Sequence, residues 1–199
     1  MSRRVLVTGA AGTVGNYAIP LAEAAGYRVV ANDLTAKGVQ QPVRGEVRAG
    51  DLRDAAFVRS LVAGCDAVIH TAALLDVGAT PRALHEVNTE VVRTLFAASR
   101  AAGVQRFVHV STSMLYAPGQ AGALTEDARG APRGEHGASK LAAEEALRAH
   151  GDGPTAWTIL RPAPLYGRRG RHFAAALLAA RPVMRLATPV LPRPSGGAP

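Results

Sequence analysis

Residues 5–15 read Val5-Leu6-Val7-Thr8-Gly9-Ala10-Ala11-Gly12-Thr13-Val14-Gly15. Val5–Thr8 is a short apolar run with the look of a buried strand. Residues 13–25 then take helical spacing, with Pro20 placed to kink the helix. The glycines between them have separate jobs. Gly9 permits a tight turn, Gly12 lets the backbone approach a ligand, and Gly15 lets helix and strand pack closely. A helix N-terminus at this point offers free N–H groups and the positive end of the helix dipole to an anion. A glycine triplet alone is a weak signal, but one that follows a buried strand and opens a helix sits in the required setting. The stretch therefore predicts a pyrophosphate loop, with Gly9, Ala11, Gly12, Thr13, Val14 and Gly15 against the phosphates of a dinucleotide.

Outward from this loop, strand and helix alternate. Strands are predicted at Tyr27–Ala31, running into Asn32-Asp33, and at Glu46–Ala49, Ala67–His70, Arg106–Ser111 and Trp157–Leu160. Helices are predicted near 54–63, over 81–101 and over 136–149. Strand runs without alternation imply burial on both faces. Repeated βα units imply α/β architecture with a doubly wound parallel sheet of the Rossmann type. Asp33 lies eighteen residues after Gly15, at the end of the second strand. A carboxylate there accepts hydrogen bonds from an adenosine ribose and repels a 2′-phosphate, which favours NAD over NADP. Lys37 and Arg44 lie near enough to keep NADP as the lesser alternative.

Composition bounds the rest. The chain has 199 residues, 48% hydrophobic and 19% charged, enough for one sizeable core. No apolar run approaches the ~20 residues of a membrane span. The single cysteine, Cys65, allows no internal disulfide framework, which fits a reduced, cytoplasmic setting. The net charge of +8 is uneven: residues 161–199 carry seven arginines and no acid. A nucleic-acid surface would spread basic residues over a folded face, so nucleic acid is not the expected partner. The boundary is placed at 170. Residues 1–170 form the NAD(P)-binding domain, and 171–199 read as an Arg- and Pro-rich, poorly ordered tail, with one Ala/Leu helix at 172–180.

Together these motifs resemble the extended short-chain dehydrogenases/reductases, of the NAD-dependent epimerase/dehydratase family, over roughly residues 4–167. Thr8-Gly9-Ala10-Ala11-Gly12-Thr13-Val14-Gly15 matches the family's TGxxGxxG loop. Asp51-Leu52 resembles the acid–apolar pair beside the adenine, although Asp51 also suits a cap for the helix near Asp54. His70-Thr71-Ala72-Ala73 resembles the stretch that closes the fourth strand on the cofactor through Ala72 and Ala73. Taken alone, His70 reads better as a core histidine. Asn88 falls where the family keeps an asparagine that ties backbone together. Arg161-Pro162 with Tyr166-Gly167 resembles the RP…YG segment, which brings Pro162 near the nicotinamide.

The resemblance also implies chemistry: hydride transfer at the nicotinamide, coupled to proton transfer at a hydroxyl or carbonyl of a small molecule such as a sugar nucleotide. The family uses a Ser/Thr hydroxyl, a Tyr, and a Lys four residues later that lowers the phenol's pKa. Thr112 matches the hydroxyl, with Ser111 and Ser113 as competitors. Lys140 matches the lysine and is one of two lysines in an arginine-rich chain. The tyrosine is missing, and His136 stands in its place. Imidazole exchanges protons near neutral pH, but a misplacement of about 1 Å costs ~100-fold in rate. Three readings stay open. His136 replaces the phenol, Tyr116 replaces it from the opposite loop, or the site binds a dinucleotide with little turnover, as a redox-sensing module would. No metal is called for. The resemblance also implies a homodimer through the helices at 81–101 and 136–149, and a substrate lobe beyond residue 167. The sequence after that point does not read as such a lobe, so a truncated substrate region is expected.

Overall fold

A computed structural model describes residues 2–39, 43–75, 78–117, 119, 124–128 and 130–165. Six strands form one sheet: β1 (Arg4–Thr8), β2 (Arg28–Asp33), β3 (Glu46–Ala49), β4 (Ala67–His70), β5 (Arg106–Val110) and β6 (Ala156–Leu160). All neighbours pair in parallel, in the order β3-β2-β1-β4-β5-β6. The expected doubly wound sheet is therefore present. The order reverses between β1 and β4, and in such sheets ligands bind outside the carboxyl ends of the strands at that switch. The loop after β1 opens there.

The helices are α1 (Thr13–Ala24), α2 (Ala55–Val62), α3 (Pro81–His85), α4 (Val91–Ala101) and α5 (Glu135–Ala149), with a π-helical turn at Glu86–Glu90 between α3 and α4. Strand side chains alternate between faces, and two cores follow from that alternation. Leu6, Val30, Val68 and Phe107 face Val58 and Leu61 of α2, Leu95 and Phe96 of α4 and Leu147 of α5. Val5, Val7, Val29 and Ala31 face Ile19 of α1 on the other side. Phe96 and Phe107 meet edge to face, with centroids 5.1 Å apart, a geometry that contributes beyond area burial.

Several expectations needed correction. Burial on both faces holds for β1 and β2, whereas β4, β5 and the edge strands alternate. β2 starts at Arg28 rather than Tyr27, and it ends at Asp33 as expected, where Asp33 and Ala49 pair in register with β3. Helix α1 ends at Ala24, one residue short of the expected 25, with Pro20 inside it. The helix predicted at 81–101 is interrupted by the π turn, where the backbone widens by one residue. Asp54 rather than Asp51 caps α2, accepting from Ala56 N and Phe57 N at 2.8 and 3.1 Å. Tyr166, Gly167, the helix at 172–180 and the tail at 171–199 lie outside the described residues. Met1–Pro164 close into one compact unit. Among the described residues no helix is long and apolar enough to cross a membrane.

Candidate dinucleotide and acid–base site

The loop after β1 is built as the glycines suggest. Gly9 has φ +66°, a left-handed conformation that costs other residues energy. A Cβ on Gly9 would also lie 2.6 Å from Ala72 N, so Gly9 lets the β1 and β4 exits touch. Gly15 sits against the Gly9 carbonyl oxygen, which a Cβ would overlap. Gly12 differs. It is exposed, and a Cβ there would approach only the Gly9 oxygen, at 3.1 Å. Its outer face is open, and as N-cap of α1 it brings no side chain over the helix N-terminus near Thr13 and Val14. This is a cradle shaped for a phosphate.

Asp33, the last residue of β2, lies against the glycine loop. Its Oδ2 accepts from Ala11 N at 2.9 Å and its Oδ1 from Leu34 N at 2.8 Å. A carboxylate has about four acceptor positions, which leaves capacity for hydroxyl donors. Asn32 locks the neighbouring strand ends by donating to the Arg48 carbonyl at 2.9 Å. Asp51 is ion-paired with Arg53 at 2.6 Å, and that guanidinium holds its carboxyl below the usual range. Leu52 lines a groove of about 250 Å³ with Arg53, Glu86 and Val91.

On the other side of the switch, α5 docks onto the exit of β5. A Cβ on Gly137 would lie 2.9 Å from the Met114 carbonyl oxygen, so glycine allows the approach. Lys140, 2% exposed, donates to the Val110 carbonyl at 2.6 Å. Burial pulls its pKa from 10.5 to about 7, while Glu144 acts in the opposite direction. Thr112 Oγ1 accepts from Met114 N at 3.1 Å and keeps its own hydrogen to donate. Ser113 N donates to the Pro162 carbonyl at 2.9 Å, which ties the segment after β6 to this turn. His136, half-buried in the first turn of α5, places Nδ1 3.2 Å from the Leu74 carbonyl oxygen. Burial first, then the Lys140 charge, lowers its pKa, and the Leu74 bond works against them.

Other groups fall elsewhere. Tyr116 belongs to a different cluster, where its hydroxyl accepts from Arg161 Nη1 at 2.6 Å and Arg161 stacks on its ring. Arg161 also holds the fully buried Glu144 at 2.7 Å, and Arg148 meets the same carboxylate at 2.9 Å. His70 is fully buried, with Nδ1 2.7 Å from Thr8 Oγ1, and stacks on His109 of β5 at 5.5 Å. Sequence reasoning missed Leu74, Ser139, Gly137 and Glu144. The dipeptide His136-Gly137 was the available signal for the close docking. Leu74 acts through its backbone, which leaves no mark on residue type.

The fold and site together define a dinucleotide-binding protein of the doubly wound α/β class. The chain belongs to the NAD-dependent epimerase/dehydratase family, whose model matches residues 5–188. It is 36% identical over 149 residues to a UDP-glucose 4-epimerase of Rhizobium leguminosarum bv. trifolii, covering 72% of this chain and 46% of that protein. It is 31% identical over 181 residues to a 4-hydroxy-2-methyl-3-oxo-4-farnesyl-3,4-dihydroquinoline-1-oxide ketoreductase of Stigmatella aurantiaca, covering 88% of this chain and 54% of that protein. Among solved structures, MoeE5 in complex with UDP-glucuronic acid and NAD aligns with TM-score 0.78 and 32% identity, covering 89% of this chain and 60% of that one. The chain thus spans about half the length of the curated relatives it matches.

Proposed function

We propose that this chain binds NAD and takes part in oxidation and reduction at a hydroxyl or carbonyl carbon of a small molecule, foremost a sugar nucleotide. The observation that carries this reading is the docking of α5 on the β5 exit at Gly137. The first two turns of α5, with His136 and Lys140, meet the β5 exit at Met114 and Val110, the segment that carries Thr112, at the carboxyl end of the sheet where the glycine cradle opens. The sugar-nucleotide reading draws on the relatives' own substrates.

Gly9, Ala11, Gly12, Thr13, Val14 and Gly15 would cradle the pyrophosphate. Asp33 would accept from the adenosine ribose, and its charge favours NAD over NADP. Asp51, Leu52, Ala72, Ala73 and Pro162 would line the remainder. NAD, when bound, supplies a hydride acceptor at its nicotinamide ring. Lys140 spends one donor on Val110 and retains two for ribose hydroxyls. Thr112 would donate its hydroxyl hydrogen to the substrate oxygen, and His136 would take the substrate proton. A cytoplasmic homodimer packed through residues 81–101 and 136–149 is part of the same reading, and sedimentation tests the oligomeric part.

The test adds NAD with UDP-glucose or UDP-glucuronic acid and follows NADH and epimeric product. Turnover in the wild type, reduced ~10²-fold or more in His136→Gln, fits general acid–base work by the imidazole. A second reading rests on the ammonium of Lys140, buried and committed to a backbone carbonyl: a dinucleotide-binding module without turnover. Tight NAD binding with turnover only in His136→Tyr would establish that second reading and overturn the first.

A further inference from the structure

The imidazole of His136 hangs on a closed circuit of hydrogen bonds that dictates where its proton sits. A backbone carbonyl accepts and cannot donate. The contact between His136 Nδ1 and the Leu74 oxygen at 3.2 Å therefore requires the proton on Nδ1. Leu74 is itself held from both sides. Asn88 Nδ2 donates to its carbonyl at 3.0 Å, and Asn88 Oδ1 accepts from its N–H at 2.7 Å. This pair also fixes the amide's orientation, since a flipped amide would oppose oxygen to oxygen and N–H to N–H. The second Asn88 hydrogen goes to Ser139 Oγ at 3.0 Å, and Ser139 donates to the His136 carbonyl at 2.8 Å. Thr89, the next residue, donates to the Ser139 carbonyl at 2.8 Å. Asn88 and Thr89 both lie in the π turn, a kind of irregularity often found at functional sites. Asn88, Thr89 and Ser139 are all buried.

We propose that Asn88 is the positioning residue that, through the Leu74 carbonyl, holds neutral His136 with its proton on Nδ1 and leaves Nε2 as the ring's single proton-accepting atom. The inference deepens the acid–base reading of His136 and rests on it for its catalytic meaning. A proton taken from a substrate hydroxyl then arrives at Nε2, while Nδ1–H keeps its bond to Leu74. The carbonyl plays the orienting part that a third group plays behind any catalytic base. Replacing the family's tyrosine by histidine thus yields a directed base rather than a loose imidazole.

The experiment labels the histidines of the full chain with ¹⁵N and records two-bond ¹H–¹⁵N imidazole spectra at neutral pH, with His136 assigned from His136→Gln. The expected result is a protonated Nδ1 and an unprotonated Nε2. A proton on Nε2 overturns the proposal without any variant. Asn88→Ala should convert this single pattern into a mixture of tautomers, with folding read from the other histidines. Where Asn88→Ala does not fold, Asn88→Asp serves, because it keeps the acceptor for Leu74 N–H and loses both donors. An unchanged pattern in either folded variant removes Asn88 from the role. If His136→Gln keeps full turnover while the wild type carries its proton on Nδ1, the acid–base reading falls and the tautomer assignment stands.

Discussion

Gly12 and Gly15 lie one helical turn apart and respond to opposite demands. A methyl group on Gly15 would enter the Gly9 carbonyl, a backbone atom with nowhere to go. Overpacking of this kind costs about 1–3 kcal/mol. A methyl on Gly12 meets that oxygen only at 3.1 Å and otherwise projects into open space. Gly15→Ala is therefore expected to lower the melting temperature. Gly12→Ala should fold nearly as well and lose NAD affinity by at least about tenfold, since it fills the space where phosphate must approach. Thermal denaturation beside calorimetric titration separates the two effects, and equal loss of stability in both variants would contradict the assignment. Both roles were legible in the sequence, because spacing and strand–helix context are local properties. The Leu74 carbonyl behind His136 was not, since any residue supplies a carbonyl.

At the scale of elements, α5 is the organising piece. Its first turn carries His136, its second carries Lys140, and Glu144 one turn later anchors it. Glu144 is fully buried between Arg161 and Arg148, and Arg161 reaches on to the Tyr116 hydroxyl and the Ala128 carbonyl. One carboxylate thereby ties α5 to the segment after β6 and to the loop beyond β5. Removing one member of a buried pair leaves the other charge uncompensated, typically at a cost of about 3–5 kcal/mol. Glu144→Ala should lose stability of that order in denaturant titrations, and a change within about 0.5 kcal/mol would show the network to be ornamental. The strands and helices themselves were readable from apolar runs and helical spacing. The π turn was not, because one extra residue in a helix leaves the hydrophobic pattern on either side intact. The Glu144–Arg161 pair joins residues seventeen positions apart across two elements, and charge alone does not announce that partnership.

For the whole molecule, burying titratable groups makes stability depend on pH. Burial, aided by the Lys140 charge, takes His70 from 6.5 to about 3, and His109 and His136 shift in the same direction. Between about 6.5 and 3 the unfolded chain binds protons that folded His70 refuses, so stability falls as pH drops through that window. Lys140 has the same sign in a higher window. Folded, it loses its proton near 7, and unfolded near 10.5. The cost of a buried ammonium is thus carried in full below pH 7 and relieved as pH rises. The Cys65 thiol, pushed up from 9 by burial, opposes this at more alkaline pH. Lys140→Met should consequently flatten the rise in melting temperature between pH 7 and 9, and an unaltered slope would contradict the burial of its charge.

The doubly wound sheet brings the glycine loop, Asp33, His136 and Lys140 to its carboxyl end, and a dinucleotide is the ligand that such an end is shaped to hold. Calorimetric titration of the purified chain with NAD, and separately with NADP, tests this most directly. The geometry of Gly12 and Asp33 predicts saturable binding of NAD, weaker binding of NADP, and a loss of that preference in Asp33→Asn. Failure of folded protein to bind NAD, or tighter binding of NADP, would contradict it.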